Sequence, residues 1–457
     1  MATSLLPRPL LFFTTRPFGA RTFSNMSSRA RPARPQWLET IVENNAPAPK
    51  LYRWTLPNLS RVDEELPQPR DTAKEKRRIH ILGMGNLGRL YANYLAALPE
   101  RPPITLVVHR KALLEHWKAD PGVEITRKGV TERVDDFDIE WWTEQKPDLG
   151  PVVEVCDGQI LSNLVVATKA PDALPQVDRL RRYIGETSTV AFVQNGMNKL
   201  WPPYGAEYNS KRFPAGNHPN WIVCVTTHGV TSAGTFKSIH ASPADVAMGA
   251  VSLNSQKASK AEYLMDQILS APHLDARRVS RSDLWVLQLE KLVVNSIINP
   301  LTAVLRCKNG VLFSKPDGPI MRVMDLLLVE ASDVLQELVR DDSSREVLLP
   351  EGGKPGSDTA QALKAKQDEL IDRFSPERLR AMLHAVGEKV KDNTSSMLQD
   401  ATAGKQTEIR EFNGWLVDTA GYLGGGLHVA YHKKLMALVE EGVILEEVGL
   451  GQYFPLF

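Results

Sequence analysis

The stretch 290–309, EKLVVNSIINPLTAVLRCKN, sets Lys291, Asn295 and Asn299 at successive spacings of four among Leu292, Val293, Val294, Ile297, Ile298 and Leu301. Four residues turn an α-helix by about 400°, so the three polar groups fall on one slowly drifting stripe. A lysine is rarely fully buried without a partner. The stripe therefore suggests a cation and two carboxamides lining a cleft. An ammonium so placed can stabilise negative charge growing on an oxygen and deliver a proton to it. The same pattern also describes an amphipathic helix whose lysine reaches solvent along its aliphatic stem. Pro300 is expected to bend or end the helix.

A second constellation lies earlier. A short apolar strand, 77–82, runs into Gly83-Met84-Gly85-Asn86-Leu87-Gly88 and then into a helical pattern at 89–95. The glycine motif alone is weak, but between a strand and a helix it points to dinucleotide binding. Gly83 permits a tight turn, Gly85 lets a pyrophosphate approach, and Gly88 lets helix and strand pack closely. The helix N-terminus offers free N–H groups to the phosphates. The cofactor loop is thus Gly83, Met84, Gly85, Asn86, Leu87 and Gly88. An NAD site prefers an acidic residue about 20 positions on. Here Arg110 stands 22 residues after Gly88, with Lys111 next. Two cations there suit the 2′-phosphate of NADPH, although a solvated basic loop has the same composition.

Further strands at 164–167 and 190–193 end in Thr168-Lys169 and Gln194-Asn195-Gly196. Ligands of open α/β sheets bind at the carboxyl ends of strands, so Lys169 and Asn195 are expected on the nicotinamide side. The Asn-Gly pair is equally readable as a turn. A crossover helix at 172–184 keeps the strands parallel. Strands at 221–228 and 240–250 close this α/β part. Helical periods then run from about 284 to the end, through 320–339, 360–374, 376–390, 408–422 and 431–441. Gly424-Gly425-Gly426 should stop a helix.

The expected organisation is a basic leader at 1–35, a linker or arm at 36–75, a Rossmann domain at 76–280 and an all-helical domain at 281–457. Insertions are expected at about 120–160, which carries Trp141-Trp142, and at 202–220. The 457 residues have 42% apolar and 24% charged content and a formal net charge of +1. That balance gives no support to a nucleic-acid footprint, and no apolar run is long enough for a membrane span. Cys156, Cys224 and Cys307 form neither a disulfide framework nor a zinc pattern, and no metal is expected. Arg8, Arg16, Arg21, Arg29, Arg31 and Arg34 all precede the first acid, Glu39. Such a composition reads as a mitochondrial transit peptide, with a disordered basic tail as the other reading. A start at Met26 would give a second, cytoplasmic form.

Four segments together resemble the ketopantoate reductase (2-dehydropantoate 2-reductase) family: GMGNLG at 83–88, TKA at 168–170 with QNGM at 194–197, EKLVVNSIINPLTA at 290–303, and TSSMLQDATAGKQTEIREFNG at 394–414. They cover about 77–440 in the family's order. The resemblance implies a Rossmann domain joined to a helical domain, with the active site between them. It implies NADPH-dependent reduction of ketopantoate to pantoate, serving coenzyme A synthesis. Lys291 would be the catalytic lysine and Glu408 its carboxylate partner, near the cofactor. Asn195, Asn295, Asn299, Ser396 and Asp400 would hold substrate, and Arg110 and Lys169 would contact cofactor. Thr394, Ser395 or Ser396 is also a natural helix cap. Two departures stand out. Met197-Asn198 follows Gly196 where a second glycine is common, and 240–245 lacks expected glycines. Another branched 2-oxo acid as substrate, or a non-catalytic binding or assembly role, is the alternative. A homodimer is compatible with large helical domains, though no symmetric surface can be read from the sequence.

Overall fold

The computed structural model describes residues 34–60, 71–349 and 357–455, all within one compact unit. Residues 1–33 of the basic leader, Met26 among them, lie outside the described residues.

Ile79–Leu82, Ile104–Val108, Asn163–Val166 and Thr189–Phe192 are short strands buried at every position. Continuous apolar runs of this kind fit strands covered on both faces. They pair in parallel, with Ile79–Leu82 between Ile104–Val108 and Asn163–Val166. Successive connections therefore leave Ile79–Leu82 in opposite directions, which makes a topological switch point beside the glycine loop. Asn220–Thr226 extends the parallel run beside Thr189–Phe192. Val246–Ser252 then adds antiparallel to it, and Ala276–Arg278 closes that edge.

The other half of the ten-stranded sheet departs from expectation. Asp138–Thr143, inside the presumed 120–160 insertion, pairs in parallel with Ile104–Val108. Tyr52–Trp54, from the presumed linker, pairs antiparallel with it, and Val153–Glu154 forms the edge. The arm is thus part of the sheet, and it begins with a helix at Gln36–Glu43. A strand of three residues is too short to show periodicity. A second, four-stranded sheet joins Val123–Arg127 and Val130–Val134 to the hairpin of Gly229–Gly234 and Lys237–Ser242. The strand expected at 240–250 is therefore two strands in two different sheets. The 202–220 insertion contains the helix Gly205–Arg212, and the crossover helix spans Ala170–Arg179.

From Arg281 onward the structure is helical. The Lys291 helix, Arg281–Leu305, is capped by Ser280, whose hydroxyl accepts from the Asp283 N–H. It does not stop or break at Pro300, contrary to the sequence expectation. Proline deprives the carbonyl four residues earlier of its helical donor. That carbonyl belongs to Ser296, and Asn413 Nδ2 donates to it at 2.8 Å. The helix ends instead at Arg306, which adopts a left-handed conformation. Around it pack Pro319–Arg340, Pro376–Lys389, Ser396–Thr402, Ile409–Leu423 and Ala430–Glu440. Gly424, at φ +71°, closes Ile409–Leu423 as expected. One hydrophobic core joins Leu289, Leu292 and Val293 of the Lys291 helix to Val166 and Phe192 of the sheet.

Candidate active site

Two cavities lie at the carboxyl ends of the parallel strands. The larger, about 980 Å³, is lined by Gly83, Met84 and Gly85, by His109 and Arg110, by Thr168 and Lys169, and by the hairpin tip at Gly234 and Phe236. Its shape depends on glycine. Gly83 has φ +99°, and a Cβ there would meet the backbone of Ala167 and Thr168 at 2.9 Å. A Cβ on Gly88 would lie 2.0 Å from the Gly83 carbonyl oxygen, whereas one on Gly85 would meet nothing closer than 4.0 Å. Gly85 caps the helix Asn86–Ala96 without any side chain over its first turn, so the backbone faces the cavity bare. This cradle fits a dinucleotide pyrophosphate.

The remaining loop residues do other work. Asn86 donates to the Val230 carbonyl at 3.2 Å and accepts from Ser238 Oγ at 3.0 Å. Leu87 packs into the core, and Gly88 packs against Gly83. Arg110 is exposed and lines the cavity. Lys111 does not join it, because its ammonium lies over the Trp54 ring at 5.6 Å. The expected pair of cations is thus one cation. Arg89 was missed by the sequence reading. Its guanidinium donates to the carbonyls of Met84, Gly234 and Lys237 and ties the second sheet to the glycine loop.

The smaller cavity, about 10 Å³, is lined by Gln194, Asn195, Gly196, Val225, Gln288, Lys291 and Leu292. Lys291 Nζ donates to Asn195 Oδ1 at 3.1 Å and to the Thr226 carbonyl at 2.5 Å. Burial of the ammonium lowers its pKa to about 8, an effect partly offset by the Glu408 and Asp245 carboxylates. At neutral pH the group still carries its proton about nine times in ten, yet it releases it far more readily than an exposed lysine. Burial raises the Glu408 pKa, opposed by the Ala170 N–H and by Lys169. Glu408 Oε1 accepts from Ala170 N at 3.4 Å, across the junction of the two parts of the molecule.

Asp400 lies beside Lys169, which lines the larger cavity. It pairs with Lys169 at 2.9 Å, again across the junction, and Lys169 also donates to the Gln406 carbonyl at 3.4 Å. Asn295 and Asn299 are half-buried. Among the described residues their carboxamides make no hydrogen bond, and neither residue lines either of the two cavities. Ser396 is exposed in the first turn of its helix and has no side-chain partner among the described residues. Its neighbour Ser395 is the cap, accepting from the Leu398 N–H at 3.1 Å and meeting Thr302 Oγ1 at 2.7 Å.

Gln288 was also overlooked. Its amide donates to the Gly196 carbonyl at 2.7 Å, and its oxygen accepts from the Trp201 indole at 2.5 Å. It therefore fixes the Asn195 loop to the Lys291 helix. The signal was present, since residues three apart share a helix face and Gln288 extends the polar stripe backward. Met197 and Asn198, the departures from the glycine pattern, are buried, and Asn198 Oδ1 accepts from the Leu200 N–H at 2.9 Å.

Known proteins place this geometry. Residues 79–252 match the model of "Ketopantoate reductase PanE/ApbA", and residues 283–442 match that of its C-terminal part. The chain is 42% identical over 456 residues to the ketoisovalerate reductase of Beauveria bassiana, covering 92% of this chain and 99% of that one. It is 24% identical over 351 residues to the 2-dehydropantoate 2-reductase of Bacillus subtilis, covering 76% and 92%. The crystal structure of a PanE/ApbA family ketopantoate reductase from Ralstonia eutropha superposes with a TM-score of 0.53 at 19% identity, covering 80% and 98%. A glycine-cradled dinucleotide cavity, a helical part beginning at Arg281 and these matches along both parts show that the chain belongs to the ketopantoate reductase family of NAD(P)H-dependent oxidoreductases.

Proposed function

We propose that the chain uses NADPH to reduce a branched 2-oxo acid, with 2-ketoisovalerate as the preferred substrate. The observation that carries the chemistry is Lys291, an ammonium with a pKa near 8 held between Asn195 and the Thr226 carbonyl at the end of the sheet. A reduced nicotinamide held in the larger cavity by the Gly83–Gly88 loop would supply hydride to the carbonyl carbon. Charge then grows on the carbonyl oxygen, and Lys291 stabilises it and donates a proton there. Asn195 holds the ammonium in place. Glu408, anchored on the Ala170 N–H, partly restores the lysine's basicity. Asn295 and Asn299 offer neutral donors to the substrate carboxylate without opposing its charge. Arg110 favours the 2′-phosphate and hence NADPH over NADH.

The substrate choice rests on the 42% identity to the Beauveria bassiana ketoisovalerate reductase. Ketopantoate is the second reading, favoured by the unpartnered carboxamides, which suit its additional hydroxyl. A site built to bond that hydroxyl discriminates strongly against an acid lacking it. The purified chain is therefore assayed with each acid, and with NADPH against NADH, by loss of nicotinamide absorbance. Higher kcat/KM with 2-ketoisovalerate supports the proposal, a reversed order assigns ketopantoate, and no oxidation above blank overturns the enzyme reading in favour of a binding role.

We also infer import into mitochondria from the run of arginines before Glu39. N-terminal sequencing of the mature protein tests it. An intact Met1 overturns it, and a start at Met26 assigns a cytoplasmic form.

A further inference from the structure

The loop after the strand Thr189–Phe192 carries Asn195 and then runs against two helices. At its start, the Gly196 carbonyl accepts from Gln288 of the Lys291 helix at 2.7 Å. Gly196, at φ +84°, also lies against the start of Ile409–Leu423, where a Cβ would come within 3.2 Å of the Glu411 carbonyl oxygen. Further on, Lys199 Nζ donates to Glu411 Oε1 at 3.3 Å, with the two side chains only 12% and 11% exposed. Tyr204 is buried, and its hydroxyl meets Thr419 Oγ1 at 3.1 Å. Glu411 and Thr419 stand about two turns apart on one helix, the helix that begins just after Glu408. The loop therefore spans the helix of the proton donor and the helix of its neighbouring carboxylate.

Both far anchors of the loop are covered by one side chain from the N-terminal arm. The Lys199 ammonium lies 5.1 Å from the centroid of the Trp37 ring. The Tyr204 ring meets the same indole edge to face, with centroids 5.3 Å apart. Trp37 belongs to the helix Gln36–Glu43, whose Leu38 and Ile41 are buried in the core shared with Leu292 and Val293. Arg34, just before that helix, pairs with Glu207 at 2.5 Å. So short a helix is not stable in isolation, and its order comes from this docking. A lysine–carboxylate pair withdrawn from water serves chiefly to fix one register. The indole adds a cation–π contact and keeps water off the pair, which strengthens it.

On the reading that Lys291 and Asn195 carry the reaction, we propose that the arm helix is a strap, with Trp37 closing over Lys199 and Tyr204 to hold the Asn195 loop where it meets Lys291. Trp37 and Lys199 line neither cavity. They are positioning residues, acting through the loop on the 3.1 Å contact between Lys291 and Asn195.

The test uses the full chain, with 2-ketoisovalerate and NADPH for turnover and hydrogen exchange by mass spectrometry for the loop at 195–204. In Trp37→Ala and in Lys199→Met, kcat is expected to fall about tenfold through misplacement of the reacting groups, with KM for NADPH within about twofold of wild type. Amides at 195–204 exchange about tenfold faster, while those of the sheet strands keep their protection. Trp37→Phe, which keeps a ring over both anchors, restores most of the rate. The double variant loses no more than the worse single one, because the two residues act as a unit. Unchanged kcat and loop exchange in the variants, losses that multiply in the double variant, or faster exchange spread evenly over the chain overturns the strap. If the wild-type chain reduces no 2-oxo acid, exchange alone decides. A loop loosened selectively then upholds the strap while the substrate reading falls, and an unchanged loop overturns both.

Discussion

The two cavities of the site are built by opposite means. The dinucleotide side is a backbone construction. Its walls near the phosphates are glycines, and a single added carbon at Gly88 would stand 2.0 Å from a carbonyl oxygen. The Lys291 side is a side-chain construction, closed down to about 10 Å³. There the selectivity lies in charges and amides brought together from distant parts of the chain. Backbone shape binds a common ligand by geometry, and side-chain placement sets reactivity. Damage to the first should show in cofactor affinity and stability, and damage to the second in turnover.

The largest separation is expected from Lys291→Ala. It should lower kcat/KM by roughly 10²–10⁴, the range for losing a positioned proton donor, while NADPH affinity measured by fluorescence stays near wild type. A matching loss of affinity would collapse the distinction between the two sides. Gly88→Ala should do the reverse, destabilising the fold by about 1–3 kcal/mol through overpacking and abolishing tight NADPH binding. Gly85→Ala, whose Cβ has room, should melt within a degree or two of wild type (about 0.5 kcal/mol or less). Urea titrations of the two variants check this contrast.

A pH profile sharpens the side-chain half. The Lys291 pKa is lowered to about 8, and the protonated form is the donor. Activity should therefore hold below that pH and fall about tenfold per unit above it, with NADPH binding flat across the window. A profile flat to pH 10 would remove Lys291 as the titrating acid. Arg110→Ala should shift the ratio of NADPH to NADH efficiency by about tenfold, the scale of one charge-assisted hydrogen bond, leaving NADH kinetics unchanged. Smallest in activity, Asn413→Leu should cost about 1–3 kcal/mol in urea stability by orphaning the Ser296 carbonyl. Its effect on turnover should stay within a few-fold.

The backbone half was the more legible in the sequence, for the same reason. The glycine loop works through local conformation, so six consecutive residues between a strand and a helix announce it. The polar stripe on the Lys291 helix was equally local. What escaped were meetings between distant residues: Lys169 with Asp400, Glu408 with the Ala170 N–H, and Gln288 with Gly196. No periodicity encodes which partner a charge finds across a fold. Tyr52–Trp54 was read as linker because three residues carry no pattern, although pairing with Asp138–Thr143 makes them part of the sheet. Of Thr394, Ser395 and Ser396, each readable as the helix cap, the structure makes Ser395 the cap.

Pro300 acquires a mechanical meaning from this. Because proline gives no N–H to the turn before it, the Ser296 carbonyl is open to Asn413. Asn413 lies on the helix that begins just after Glu408. The missing donor thus acts as a locating pin, registering the helix of the proton donor against the helix of its neighbouring carboxylate. Replacing Pro300 with alanine would close the ladder and withdraw the pin, offering a way to loosen the alignment of Lys291 and Glu408 without altering a single charge.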